Sequence, residues 1–485
     1  MALVKVDLDR RLGVIDPKVY GMFIEHLGRC VYRGIYDPGS PLADERGFRR
    51  DVLEASKRLR VPILRWPGGN FVSGYHWLDG VGPRDQRPTK MELAWNTVET
   101  NQIGTNEFIE YCRLLGAEPY ICANLGSGGM EEAAAWVEYC NRPAGTCYAD
   151  LRARHGYREP YRVTYWGLGN EIYGDWQIGY KSAQDYAKLA RECAKLMKAV
   201  DRGIELVLCG GQELDWDREV LSRCADLVDH ISYHFYWGVT PGEDPHYSVL
   251  AQPYASEQYL RFLWELIQQV RRDRRVRHPI RIAVDEWNVW FRARVDHDDP
   301  LSERYTLSDA LSVAIYLNML RRNCRAVGIA TLAQMVNVIA PIVTSPEGMF
   351  LQTIYHPLRL GAELSGPVAL DAHVECDAFP APYCGVEAVP YLDVLATLDD
   401  SARKLFLSLV NLHKDKPQRV DLRLQDCDVA PEGRAHVVTG EDPEAVNDFG
   451  VERVGCQTSR LSDAGRSFSY TLPPCSHAVL ELALA

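Results

Sequence analysis

Residues 163–211, VTYWGLGNEIYGDWQIGYKSAQDYAKLARECAKLMKAVDRGIELVLCGG, decide how the rest of the chain is read. An apolar run (163–171) ends abruptly in Asn-Glu. A helical pattern then opens at Ser182, with Asp185 three residues on in a capping-box-like arrangement. A second apolar run follows at 204–211. Neither run alternates with period two, as expected of strands covered on both faces. The unit is strand, helix, strand, which implies parallel pairing.

Working outward, the same unit recurs. Apolar runs lie at 21–26 (GMFIEH), 63–69 (ILRWPGG) and 119–125 (PYICANL) before it, and at 230–237 (HISYHFYW), 280–287 (IRIAVDEW) and 326–337 (AVGIATLAQMVN) after it. Amphipathic helices intervene; residues 106–116 carry Phe108, Ile109, Cys112 and Leu115 at helical spacing and stop at Gly116. Eight strands alternating with helices predict a closed (β/α)8 barrel, an α/β fold, over residues 13–361. A doubly wound open sheet is the competing architecture, but no glycine-rich phosphate fingerprint follows the first strand. Beyond residue 362, segments such as KLFLSLVNL (404–412) and RVDLRLQ (419–425) alternate with period two, and predict an antiparallel, jelly-roll-like β-sandwich. LVKVDLD near the start alternates likewise, so the second domain is expected to comprise residues 1–12 plus 362–485.

Net charge is −12 and no basic stripe exists, which excludes a nucleic-acid partner. The basic run RRDRRVRH (271–278) reads as a solvated helix end. Fourteen cysteines form no C-x-x-C pair and several sit inside apolar runs, as reduced buried thiols do. With no stretch of 18 apolar residues and no signal-like start, the expectation is a cytoplasmic protein without a membrane partner.

Barrel enzymes work at the C-terminal ends of their strands. Those ends carry Glu25 and His26, Arg65 and Asn70, Asn124, Asn170 and Glu171, His234 and Tyr236, Asp285 and Glu286, and Gln334 and Asn337. No lysine is among them, which argues against a Schiff-base aldolase. No His-x-His pair follows the first strand, which argues against a metal-dependent amidohydrolase. Two glutamates remain, on the fourth and seventh strands, facing each other across the mouth. That pair suits a retaining glycosidase, whose two carboxyl groups stand about 5–5.5 Å apart. The structural alternatives are a helix N-terminal carboxylate for Glu171 and a buried ion pair with an arginine such as Arg65 for Glu286.

Longer strings then carry a resemblance: YGMFIEHLGRCVYRGIY (20–36), LRWPGGNFVSGYHW (64–77), AWNTVETNQIGTNEF (94–108), YWGLGNEIYGDWQIG (165–179), VDEWNVW (284–290) and AQMVNVIAPI (333–342). Together they resemble glycoside hydrolase family 51, the α-L-arabinofuranosidases, in order through the whole barrel. The resemblance implies Glu171 as general acid/base and Glu286 as nucleophile. It further implies Glu25, Asn70, Asn170 and Gln334 as holders of the furanose hydroxyls, and Tyr236, with His234 close by, as the group orienting the nucleophile. Trp95 and Trp290 resemble aromatic walls of the sugar pocket. No metal or other cofactor is implied. The expected substrate is a small arabino-oligosaccharide or arabinoxylan fragment, as in hemicellulose degradation, and the expected assembly is a homo-oligomer, commonly a hexamer. The residue reading leaves open the same retaining chemistry on another glycoside (a β-1,4-glucan, a xyloside or a galactofuranoside), or a carbohydrate-binding protein without turnover. The loops 80–93 and the one after Trp290 are expected to line the leaving-group side.

Overall fold

A computed structural model describes residues 2–291 and 301–485. Eight parallel strands close into a barrel: Gly21–Phe23, Ile63–Trp66, Glu118–Ala123, Tyr165–Leu168, Glu205–Leu208, His230–Trp237, Arg281–Val289 and Val327–Ala333. Closure is made by the last strand on the first, with Thr331, Leu332 and Ala333 opposite Gly21, Met22 and Phe23. Ile63, Tyr120, Val207, Ala283 and Ile329 plug the interior as one apolar layer. Helices cover the outside, and the longest runs from Pro245 to Arg274. Its arginine-rich end is capped by Arg275 in the left-handed region, where cations face the helix carbonyls.

The hydrogen-bonded strands are shorter than the apolar runs. The run at 163–171 pairs only over Tyr165–Leu168, which leaves Asn170 and Glu171 just past the strand. Burial continues into the loops at the barrel mouth, and burial is what the hydrophobic pattern reports. In the seventh strand, register slips against the sixth between Ala283 and Glu286, and against the eighth between Val284 and Trp287. Consecutive strand residues ordinarily face opposite sides. The slip is a bulge that re-aims the strand, so Asp285 and Glu286 both reach the same interior groups.

A second sheet of nine strands follows the barrel, and Ala2–Val14 is one of them. That strand runs antiparallel to Val368–Glu375 and parallel to Gln418–Gln425. Val4 and Val6 join Leu405, Leu407, Leu422, Leu472 and Leu480 in a core of its own, drawn from both ends of the sheet. The sheet is therefore curled over on itself. Asp393 fastens it to the barrel by accepting hydrogen bonds from Tyr254 (3.1 Å), Asn318 (2.7 Å) and Arg322 (3.1 Å). All fourteen cysteines are free, and most are buried. Among the described residues, no helix is long and apolar enough to cross a membrane. The loop after Trp290 lies, over residues 292–300, outside the described residues.

Candidate active site

Arg65, on the second strand, is buried and organises the mouth. Its Nη1 donates to Glu286 Oε1 at 2.7 Å and to the Asp285 carbonyl at 3.2 Å, while Nη2 donates to Asn170 Oδ1 at 2.6 Å. Burial works against the guanidinium charge, but the carboxylates of Asp285 and Glu286 keep it firmly protonated. Removing one partner of such a buried pair costs about 3–5 kcal/mol. Asn170 thus spends its oxygen on Arg65, and its Nδ2 is buried without a hydrogen-bond partner among the described residues.

Glu286 takes a second donor, Tyr236 Oη, on Oε2 at 2.8 Å. The edge of Tyr236 meets Trp290, with centroids 5.5 Å apart at 72°. His234 stands between the carboxylates: Nδ1 lies 2.8 Å from Glu171 Oε1 and 3.6 Å from Glu286 Oε2, and Nε2 lies 3.3 Å from Asp285 Oδ1. Burial alone would drive out the imidazole proton. The charge of Glu286 and the hydrogen bonds to Asp285 and Glu171 instead push His234 up to about 10. Burial likewise raises Glu171, but the hydrogen bond and charge of His234, with the Trp176 N–H, outweigh it and hold the carboxyl below its ordinary value. The one proton of the Glu171–His234 pair therefore rests on the imidazole, hydrogen-bonded to the Glu171 carboxylate. An oxygen of Glu171 and one of Glu286 lie within 4.8 Å of each other.

Glu171 is no helix N-terminus, since the next helix begins at Ala183. It sits in the left-handed region instead, at φ +43°, where non-glycine residues are strained. The ion pair between Glu286 and Arg65 does form, and it holds the glutamate in the mouth.

A second cluster centres on Glu25. Its Oε1 accepts from the Phe71 N–H and from Trp95 Nε1, both at 3.0 Å, and Oε2 accepts from Gln334 Nε2 at 3.1 Å. Burial pushes its carboxyl up to about 8, the Phe71 N–H opposing this and the charge of Glu286 adding to it. Gly68 and Gly69 make room for it. A Cβ on Gly69 would stand 2.6 Å from Glu25 Oε2. Asn70 follows them and opens a half-buried 3-10 turn, Asn70–Gly74.

Other neighbours were not singled out in the sequence. Tyr120 donates to Asp285 Oδ2 at 2.7 Å, Tyr173 to Glu171 Oε1 at 3.3 Å, and Trp176 to Glu171 Oε2 at 3.2 Å. Tyr120 is hidden inside an apolar run, and the two aromatics lie in a loop whose path no periodicity reveals.

Residues 55–248 match a family model described as the α-L-arabinofuranosidase 1 domain, and residues 285–476 one described as the α-L-arabinofuranosidase C-terminal domain. The chain is 41% identical over 502 residues to α-L-arabinofuranosidase C of Emericella nidulans, covering 99% of this chain and 97% of that protein. It is 42% identical over 453 residues to the intracellular exo-α-(1→5)-L-arabinofuranosidase of Halalkalibacterium halodurans, covering 90% and 89%. Among solved structures, the GH51 α-L-arabinofuranosidase of Thermotoga petrophila superposes with a TM-score of 0.92 at 40% identity, covering 99% of this chain and 100% of that one.

Proposed function

The chain belongs to glycoside hydrolase family 51 and is a retaining, exo-acting α-L-arabinofuranosidase, in which we propose that Glu286 is the nucleophile and Glu171 the general acid/base. The observation that carries this assignment is the approach of the two carboxylates to within 4.8 Å across one imidazole. A Glu286 oxygen attacks the anomeric carbon as the bond to the leaving oxygen breaks, and Glu171 gives that oxygen the pair's proton. Esterified Glu286 has lost its negative charge, which is the foremost charge supporting the proton on His234. The Glu171–His234 pair is then left without a proton and ready to take one from the attacking water. A second displacement restores the starting anomer.

Glu25, Asn70, Asn170, Gln334, Trp95 and Trp290 hold the furanose in this proposal. The unpaired Asn170 Nδ2 suits the 2-hydroxyl, whose hydrogen bond strengthens in the transition state. The proposal extends to a cytoplasmic enzyme acting on small arabino-oligosaccharides from hemicellulose and working as a homo-oligomer. Support for the location and substrate is the relative named as intracellular and exo-α-(1→5)-acting. Support for assembly is the family resemblance.

The test is release of 4-nitrophenol from its α-L-arabinofuranoside. Glu286→Ala is expected to abolish turnover. Glu171→Ala is expected to lower it roughly 10²- to 10⁴-fold on poor leaving groups and, with azide, to give the α-azide of retained configuration. Near-normal turnover by Glu286→Ala would sink the assignment.

A further inference from the structure

The segment that carries Trp95 is built inside out. Lys90–Glu92 and Thr97–Glu99 pair as an antiparallel hairpin, with Lys90 opposite Glu99 and Glu92 opposite Thr97. Antiparallel strands ordinarily bury their apolar side chains and show the polar ones to water. Here Met91, Leu93 and Val98 are 57%, 69% and 64% exposed, while the two glutamates are buried. Glu99 fastens the base: its Oε2 lies 2.9 Å from His26 Nδ1, and its Oε1 accepts from Tyr32 Oη and from the Asn101 N–H. Glu92 fastens the tip. Its Oε1 accepts from the Ala94 N–H at 2.8 Å and its Oε2 from the Trp95 N–H at 2.6 Å. Asn96 then turns the chain back from the left-handed region, at φ +55°.

With Met91, Leu93 and Val98 turned to water, little apolar burial orders the tip, and its shape falls to its hydrogen bonds. A carboxylate taken out of water is costly unless it is hydrogen-bonded. Glu92 spends both oxygens on two consecutive N–H groups, which set the direction in which the Trp95 side chain leaves the backbone. From there the indole N–H reaches Glu25 Oε1 at 3.0 Å, as one of the donors that hold that carboxylate. A line of contacts thus runs from Glu92 through the backbone and ring of Trp95 to Glu25. Given the reading of Trp95 and Glu25 as residues that hold the furanose, on which this inference rests, we infer that Glu92 is a positioning residue for the sugar pocket. It meets no substrate itself and acts by fixing the Trp95 indole against Glu25. Sites of this kind lose rate steeply when a supporting group lets them shift.

The experiment is a double-mutant cycle on α-1,5-L-arabinobiose, with wild type, Glu92→Gln, Trp95→Ala and the double variant. Glu92→Gln keeps the shape of the side chain but sets an amide NH2 against one of the two backbone donors. It is expected to lower kcat/KM by about fivefold to tenfold. Trp95→Ala is expected to lower it by more than Glu92→Gln does. In the Trp95→Ala background, Glu92→Gln should change kcat/KM by less than about twofold, because two residues that act as a unit are not additive. A general loosening of the fold would instead remove the same factor in both backgrounds, as would an action of Glu92 that bypasses Trp95; either result overturns the positioning role. So does wild-type turnover by Glu92→Gln when Trp95→Ala is impaired. Wild-type turnover by Trp95→Ala would overturn the reading of Trp95 as part of the sugar pocket, and the role of Glu92 with it.

Discussion

His234 faces three carboxylates, Glu171, Glu286 and Asp285, with Arg65 as the only other cation in the network described around them. The proton of its pair with Glu171 is held up to about pH 10. The alkaline limb of kcat/KM should therefore lie far above that of a lone carboxylic acid. In His234→Gln only Glu171 can hold the proton, and the limb on methyl α-L-arabinofuranoside should retreat toward neutral pH. With a dinitrophenyl leaving group, which needs no protonation, that limb should be absent in both proteins. An unmoved limb on the methyl substrate would show that His234 does not carry the proton. At this scale the sequence was informative where an apolar run stopped at a charge: Glu171, Glu286, Arg65 and Asp285 were all visible at strand ends. Trp176 was not, because its place depends on a loop folding back over Gly174, a close approach between two residues that no spacing rule marks.

The turn after the second strand is an element whose shape is dictated by one side chain it must avoid. A Cβ on Gly69 would stand 2.6 Å from Glu25 Oε2 and 3.0 Å from its Oε1, so no other residue fits there without moving the carboxylate. Gly69→Ala should displace a carboxylate that three donors hold, and so loosen the furanose site. The expected result is a fall in kcat/KM of about tenfold or more, a loss of at least ~1.4 kcal/mol. It should be equal for arabinobiose and methyl arabinofuranoside and come with a lower Tm, because a buried, hydrogen-bonded carboxylate is displaced. A drop confined to arabinobiose would place the damage on the leaving-group side instead. Element identity was legible throughout the barrel, including Ser182, whose hydroxyl accepts from the Asp185 N–H at the helix start. Strand length was not: the run at 21–26 is paired only over Gly21–Phe23. Nor was the bulge at Asp285 and Glu286 visible, since register is a property of two strands and the pattern describes one.

Across the whole molecule, buried titratable groups set how stability should follow pH. Glu25 moves from its ordinary 4.5 up to about 8 and His234 from 6.5 up to about 10. Both bind a proton more tightly when folded, so the stability they contribute is full below their ordinary values and is lost as pH rises through the folded ones. His246, His356 and His477 shift the other way, down to about 4, 4 and 3, so their contribution is lost as pH falls below 6.5. The urea midpoint should peak close to pH 6.5 and decline toward pH 9.5, and His234→Gln should flatten that decline above pH 8. A midpoint that rises between pH 7 and 9 would contradict the assignment. The sheet that completes the molecule was legible as alternating strands, but its neighbours were not. Alternation tells which side of a strand is buried and says nothing of which strand lies beside it. The strand Ala2–Val14 has a consequence for synthesis. Its partners on either side are residues 368–375 and 418–425. At roughly 5–20 residues per second, the ribosome makes it wait on the order of 20–80 s for the second of them. For most of that interval the segment is unpaired, because the last barrel strand, Val327–Ala333, and its first partner, Val368–Glu375, are themselves made late, and it is then a natural target for a chaperone or a protease. Completion of this sheet therefore waits on a contact between segments far apart in the chain, Ala2 beside Val420.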